Sequence, residues 1–193
     1  MREGRTHGTS GRRVGQLVSA FATGLRKGGV AATGKHFPGF GASGVNTDNA
    51  PARIGLSLGT LRSVDAAPFA SLIKADVAAI MLATAVYPTL DSRPAALSSK
   101  WIRGELRDRL GFRGVTISDD LQTPAVQSFG SIGQRAVRAA RAGVDIALFV
   151  GAYRAGAQAA AGLIAAARDG QLSRTALEQT AARVLRLRKR LKR

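Results

Sequence analysis

The chain has 193 residues, 45% of them hydrophobic, and its 29 basic and 12 acidic side chains give a formal net charge of +17. This length fits one domain, and the apolar content is sufficient to fill a core. The absence of cysteine excludes disulfides and thiolate metal sites, and His7 and His36 are too few for a histidine-based metal cluster, although carboxylates can still bind a hard cation.

The positive charge favours non-specific attraction to nucleic acid or to an anionic membrane. However, the cations are mostly arginines spread over several predicted helices, and the chain lacks the interleaving of aromatic and basic residues typical of single-strand binding. The amino terminus has no apolar core of a signal peptide, and no apolar run is long enough to span a bilayer. We therefore expect a cytoplasmic location, no membrane contact and no specific nucleic-acid partner.

Helical and strand-like apolar patterns alternate along the chain. Helices are predicted where apolar residues recur at spacings of three and four; Gly28 and Gly111 end two of them, and Ser173 caps the last. Pro68 lies inside one predicted helix, where it either breaks the helix or starts a new one. In chain order the elements are helix 12–27, strand 30–37, helix 58–75, strand 77–83, helix 98–110, strand 115–118, helix 131–142, strand 144–150, helix 155–168 and helix 173–191.

The connections between the predicted strands are long enough for right-handed crossovers, so the strands should form a parallel sheet in an α/β fold. Two closures remain open at this point. One is an open, doubly wound sheet, and the other is part of a (β/α)8 barrel, which normally takes about 250 residues. No Gly-x-Gly-x-x-Gly string follows the first strand, which argues against a dinucleotide-binding fold.

Polar side chains lie at the carboxyl ends of two of the predicted strands, in the strings Lys35-His36-Phe37-Pro38-Gly39-Phe40-Gly41 and Ser118-Asp119-Asp120-Leu121. Barrel enzymes keep their chemistry at this end of their strands. On a purely structural interpretation Lys35 extends to solvent, His36 is a core histidine, and an aspartate caps the following segment or lies at a solvated strand end. A pair of adjacent carboxylates can also attract Mg²⁺. On the functional interpretation a carboxylate beside Lys35 stays ionised and acts as a nucleophile.

The loop string Asn46-Thr47-Asp48-Asn49 is either an ordinary Asx turn or the source of a proton donor, Asp48, because the loop leaves the sheet on the side of Lys35. Glycoside hydrolysis uses two carboxyl groups, about 5–5.5 Å apart for retention and roughly 6.5–9.5 Å apart for inversion. The sequence does not fix that distance.

Together the two strings resemble the barrel domain of glycoside hydrolase family 3, and within it the bacterial β-N-acetylhexosaminidase branch. The Lys-His-Phe-Pro-Gly string is the most specific part of the resemblance. The supporting matches, which together cover nearly the whole chain, are Pro94-Ala95, Gly111-Phe112-Arg113-Gly114-Val115 and Ala142-Gly143-Val144-Asp145. The resemblance implies the C-terminal half of a (β/α)8 TIM barrel, about its last four β/α units with a closing C-terminal helix. Residues 1–193 would then be a single, truncated domain of the family's N-terminal barrel type.

The family resemblance also implies a function, namely retaining, two-step hydrolysis of β-linked sugars through a glycosyl-enzyme intermediate, with no cofactor and no metal. Asp119 matches the family's nucleophile, and Lys35 and His36 match residues that bind sugar hydroxyls. Arg5, which is otherwise an ordinary surface arginine near a terminus, stands at a matching separation from Lys35 and corresponds to an arginine that grips the sugar. The expected partner is a carbohydrate, either a β-N-acetylhexosaminide or a β-glucoside.

The chain departs from the family pattern in two respects. The hexosaminidase branch carries an Asp-x-His acid/base pair, but its two positions are Asn46 and Asp48 here, so that Asp48 is the remaining candidate proton donor; Phe40 also replaces the histidine of a Gly-His-Gly string. The second departure is length, because the family barrel has eight strands and only the last four are predicted here. Since half a barrel leaves unpaired sheet edges, we expect a fragment of a longer product or a half-barrel that self-associates or pairs with the missing N-terminal half.

Three functions are therefore compatible with the sequence. The first is a retaining β-glycosidase with Asp119 as nucleophile. The second is a catalytically impaired fragment or a glycan-binding pseudoenzyme, since the acid/base histidine is absent. The third is a basic nucleic-acid-binding module, for which a steep dependence of affinity on salt would be required.

Overall fold

Helices and strands alternate in the computed structural model, which describes residues 6–151 and 153–191. Pro68 lies in the first turn of a helix, so the predicted helix 58–75 is divided rather than continuous. Two further segments, Leu61–Asp65 and Lys100–Arg109, have π-helical hydrogen bonding. The remaining elements are α1 (Gly11–Lys27), β1 (Thr33–Phe37), α2 (Leu58–Thr60), α3 (Ala67–Lys74), β2 (Ala79–Leu82), β3 (Val115–Ser118), α4 (Ile132–Ala142), α5 (Tyr153–Arg168) and α6 (Arg174–Leu191), with short 3-10 turns at Ala95–Leu97 and Pro124–Phe129.

The three strands form a parallel sheet in the order β1-β2-β3. Each connection between them contains helical segments, as expected for parallel strands that must cross over. The α/β fold with a parallel sheet is therefore confirmed.

The predicted strand 144–150 is an extended segment that pairs with β3 only through one parallel bridge, between Ile117 and Ile146. On either side of this bridge, side-chain oxygens accept the backbone N–H groups that main-chain carbonyls would accept in a longer β-ladder. The Thr116 N–H donates to the Asp145 carboxylate at 3.0 Å, and the Leu148 N–H donates to the Ser118 hydroxyl at 2.9 Å. Because side-chain hydrogen bonds replace main-chain ones here, the segment 144–150 does not form a regular strand.

Strand β1 has the most exposed side chains of the three strands. In β1, Gly34 and Phe37 are buried, whereas Thr33 and Lys35 are exposed. Each of β2 and β3 instead has three buried residues and one half-buried residue. The pairing of β1 with β2 shifts in register between Gly34 and Phe37, so burial along β1 does not follow a simple alternation. A Cβ atom on Gly34 would lie 2.7 Å from Leu72 Cδ1, so α3 packs directly onto this strand.

A fully buried carboxylate, Asp145, joins three segments at the amino-terminal end of the sheet. Its side chain has no exposed surface, and it accepts from Arg107 Nη2 and Arg183 Nη2, each at 2.8 Å. Thr180 and the Thr116 N–H donate to it as well, each at 3.0 Å. Burial alone would raise the pKa of Asp145, but the bonds from Arg183 and Thr116 and the charges of Arg107 and Arg183 lower it.

Helix α6 lies on the surface, because none of its residues is buried, and polar contacts hold it at two places. One contact is the Asp145 cluster, and another is the exposed ion pair from Arg190 Nη2 to Asp76 Oδ2 at 2.6 Å. Its predicted apolar stripe is largely exposed, with Leu185 and Leu191 about half accessible. Among the described residues, no helix is both long and apolar enough to cross a membrane.

Candidate active site

The end of β1 brings His36 into a tight turn at the carboxyl-terminal edge of the sheet. The Gly39 N–H donates to the His36 carbonyl at 2.8 Å, and Gly39 has a φ of +133°, a conformation that favours glycine. The Lys35–His36 and Phe37–Pro38 peptide bonds are both cis. The imidazole of His36 is 20% exposed, whereas Lys35 is exposed at the same edge of the sheet.

The end of β3 places Asp119 opposite this imidazole. Asp119 Oδ2 lies 3.6 Å from His36 Nε2, and the two side chains are 21% and 20% exposed. The Asp119 N–H donates to the Leu82 carbonyl at 2.9 Å, and the Ala83 N–H donates to the Phe37 carbonyl at 2.9 Å. Main-chain bonds through β2 therefore fix the separation of the two strand ends, and a carboxylate and an imidazole face each other at one accessible position.

Asp120, the neighbour of Asp119, has a different environment. Its Oδ1 accepts from the backbone N–H groups of Gln122, at 3.0 Å, and Val150, at 3.2 Å. The buried Arg135 supports the same loop by donating to the Leu121 carbonyl, and burial lowers the pKa of Arg135. Asp120 thus ties the loop to the following segment, which favours Asp119 rather than the pair as the reactive group.

Asp48 and Arg5 are the two remaining site residues that the sequence predicts. Asp48 is exposed, and its N–H donates to Asn46 Oδ1 at 3.0 Å, so the Asx turn expected at this position is present. Asp48 lies in the loop that leaves β1 at the edge where Asp119 and His36 meet. Arg5 lies outside the described residues. Within residues 6–151 and 153–191, no three carboxylate or imidazole side chains are grouped closely enough to hold a metal ion.

Two aromatic residues belong to this region: Phe40, which lies in the first motif string without a role assigned to it, and Tyr87, which lies outside both strings. The ring of Phe40 stands edge-on to that of His36, with centroids 6.0 Å apart. The hydroxyl of the buried Tyr87 donates to the Gly39 carbonyl at 2.8 Å. Tyr87 follows β2 and so reaches the same edge of the sheet, but an isolated tyrosine in a loop carries no motif that would have identified it.

Comparison with known proteins identifies the family. The family model described as the glycosyl hydrolase family 3 N terminal domain matches residues 1–187. The chain belongs to glycosyl hydrolase family 3. The resemblance drawn from the two motif strings is therefore confirmed, and Asp119 and His36 lie on the matched part of this family 3 chain.

Individual known proteins are similar over most of the chain. An uncharacterized secreted glycosyl hydrolase from Arthroderma benhamiae is 43% identical over 192 residues, which cover 97% of this chain and 54% of that protein. A β-hexosaminidase from Nitrosomonas eutropha is 40% identical over 135 residues, covering 70% of this chain and 39% of that protein. The solved family 3 β-N-acetylglucosaminidase from Paenibacillus sp. str. FPU-7 superposes with a TM-score of 0.95 at 34% identity, over 97% of this chain and 36% of that one. The chain thus spans about half or less of the length of these relatives.

Proposed function

We propose that this chain carries the reacting groups of a retaining β-glycosidase, with Asp119 as the nucleophile. The observation that supports this most strongly is the approach of Asp119 Oδ2 to His36 Nε2, 3.6 Å apart at the carboxyl ends of β3 and β1, in a member of glycosyl hydrolase family 3. Both side chains are accessible, and the neighbouring Asp120 is occupied by backbone N–H groups. A carboxylate held in this way is available to attack an electrophilic carbon.

In the proposed first step an Asp119 oxygen attacks the anomeric carbon as the glycosidic bond breaks, and the leaving oxygen takes a proton from the Asp48 carboxyl group. This forms a glycosyl ester on Asp119 and leaves Asp48 as a carboxylate. In the second step water attacks the same carbon, loses its proton to the Asp48 carboxylate and releases Asp119 as a carboxylate, so that the anomeric configuration is retained. Lys35 and His36 hold sugar hydroxyls beside the nucleophile, and Arg5 is proposed as a further sugar contact.

The proposed substrate is a β-linked N-acetylhexosaminide, because the Nitrosomonas relative is named a β-hexosaminidase and the Paenibacillus structure a β-N-acetylglucosaminidase. A β-glucoside is the second candidate, favoured by the absence of the branch's acid/base histidine, whose position is Asp48 here. The cytoplasmic location expected from the sequence stays a prediction. The Arthroderma relative is named a secreted protein, which favours secretion instead.

Mechanism-based labelling tests the proposed nucleophile. The chain would be incubated with 5-fluoro-N-acetylglucosaminyl fluoride and with 2-deoxy-2-fluoroglucosyl fluoride, which leave slowly hydrolysed glycosyl-enzyme esters. Peptide mass spectrometry should find the adduct on Asp119 with one of these reagents. A folded chain that gives no adduct with either reagent, or that carries it on another residue, contradicts the proposal.

Asp48 is proposed as the proton donor to the leaving oxygen. Asp48→Asn should lower kcat/KM for an alkyl glycoside by roughly 10²–10⁴-fold, the usual contribution of general acid catalysis. An aryl glycoside with an acidic phenol should lose far less in the first step, because its leaving group departs without protonation. Asp169→Asn, at an exposed aspartate after α5, is the matched control and should leave both rates unchanged. An equal decrease in kcat/KM for the alkyl and the aryl glycoside would contradict the proposal that Asp48 is the proton donor.

A glycan-binding protein without turnover is the second candidate function, and the replacement of the acid/base histidine favours it. It predicts saturable binding of the sugar with no hydrolysis even of activated aryl glycosides. Those substrates need little acid assistance, so their survival would implicate more than Asp48.

We also propose that further β/α units complete the sheet, supplied by an N-terminal half or by a second copy of the chain. The observations in favour are the exposed side chains of Thr33 and Lys35 on β1 and the short span of the chain relative to its relatives. If a second copy completes the sheet, light scattering of the isolated chain should give a mass above its 20.1 kDa, with slow hydrogen exchange in β1 as well as in the central β2. If an N-terminal half completes it, the isolated chain should be a 20.1 kDa species with fast exchange in β1. A 20.1 kDa species with β1 fully protected would contradict the proposal in both forms.

A further inference from the structure

The turn that carries His36 is held from beneath by a single buried hydroxyl. Tyr87 is fully buried, and its hydroxyl donates to the Gly39 carbonyl at 2.8 Å. The Gly39 N–H in turn donates to the His36 carbonyl at 2.8 Å. Gly39 therefore links Tyr87 to the main chain of His36 through two short hydrogen bonds.

A second contact fixes Gly39 from the side. A Cβ atom placed on Gly39 would lie 2.5 Å from Asp65 Cβ and 3.1 Å from the Asp65 carbonyl oxygen. The turn thus rests directly on the end of the Leu61–Asp65 segment, and with its φ of +133° only glycine fits there without strain. Burial raises the pKa of the Tyr87 phenol, and the charge of Asp65 raises it further, so Tyr87 remains a neutral donor to the carbonyl.

The ring of Tyr87 is itself held by aromatic packing. Its centroid lies 5.4 Å from that of the buried Trp101, which lies 6.3 Å from that of Phe37. Phe37 meets Phe69 edge-on at 5.2 Å. Because these contacts involve rings only, the hydroxyl can be removed while the packing of the ring is kept.

We propose that Tyr87 is a positioning residue for the Asp119–His36 pair, and this inference rests on the proposed glycosidase function. Its hydroxyl holds the Gly39 carbonyl in place, and so sets how close His36 Nε2 stands to Asp119 Oδ2, 3.6 Å away. Tyr87 touches neither the sugar nor the attacking oxygen in this scheme; it acts through the turn. A misplacement of about 1 Å at reacting groups costs on the order of 100-fold in rate.

Tyr87→Phe tests this with a matched control, because the only other tyrosine, Tyr153, is 93% exposed on α5. Tyr87→Phe should slow the labelling of Asp119 by the fluorosugars roughly ten- to hundredfold, while Tyr153→Phe should label at the wild-type rate. Both variants should still unfold cooperatively, with a lower midpoint only in Tyr87→Phe, which loses one hydrogen bond; cooperative unfolding separates misplacement from loss of fold. Equal labelling rates in the two variants would overturn the proposal.

A measurement that needs no turnover keeps this inference separate from the proposed function. His7 and His36 are the only histidines, so the ¹⁵N spectrum of their rings contains two sets of signals, which a His7→Gln variant assigns. The His36 signals should move in Tyr87→Phe and in Gly39→Ala, whose added Cβ must displace the turn, and should stay in place in Tyr153→Phe. Unmoved His36 signals would refute the positioning role, whereas moved signals without labelling in the wild type would refute the glycosidase function alone.

Discussion

Asp119→Asn should reduce the turnover of aryl β-glycosides by a factor on the order of 10³ or more and abolish the fluorosugar adduct. The amide has nearly the shape of the carboxylate, and its oxygen can still accept the Asp120 N–H that Asp119 Oδ1 accepts at 2.9 Å. It lacks the negative charge needed to form the glycosyl ester. The loss would therefore come from chemistry and not from a disturbed loop.

The adjacent aspartate provides the control for this experiment. Asp120→Asn keeps an oxygen that can accept the Gln122 and Val150 N–H groups, so its rate should stay much closer to that of the wild type. Steady-state rates and intact-protein mass spectra of the two variants give the comparison. If the two substitutions exchanged their effects, the nucleophile would be Asp120.

Asp145→Asn should have the largest effect on stability. Breaking a buried ion pair by removing one partner costs about 3–5 kcal/mol, because the remaining charges stay buried without compensation. Here Arg107 and Arg183 would both lose their partner, and their side chains are only 13% and 17% exposed. Urea unfolding followed by circular dichroism would measure the change in the free energy of unfolding.

Asp76→Asn is the matched control. Asp76 pairs with Arg190, which lies on α6 as Arg183 does, but the side chains of Asp76 and Arg190 are both more than half exposed. An exposed pair contributes only about 0–1 kcal/mol. Similar losses in the two variants would show that the Asp145 cluster is not the main attachment of α6.

The same carboxylate should make part of the stability depend on pH. The pKa of Asp145 is lower in the folded chain than its ordinary value of 3.8. The associated stability is therefore fully present above the ordinary value and is lost as the pH falls below it towards the lower folded value. Asp145→Asn should flatten the acid limb of the stability curve without removing it, because Asp91, with a pKa lowered to about 2, and Glu105 contribute in the same direction.

The sequence motifs could predict the pairing of Asp119 with His36, because both follow strands of one parallel sheet and such strands end at a common edge. The same reasoning could not find Tyr87, since its hydrogen bond to Gly39 joins residues 48 positions apart and depends on side-chain packing. The spacing of apolar residues likewise predicted the helix 173–191, but it did not predict that Leu185 and Leu191 on α6 would be about half exposed. Helical spacing shows which side chains share a face, whereas the buried Asp145, far off in sequence, decides how α6 is held.

The bonds across β2 have a consequence for how this site can evolve. The spacing of Asp119 and His36 is set by main-chain groups of Leu82 and Ala83, which every amino acid except proline can supply in full. The separation of the pair therefore depends on the main chain at this point and not on which side chains stand there. The start of the loop after β2 has little freedom to change for a different reason, because Ala83, Thr84, Ala85 and Tyr87 are each at most 1% exposed.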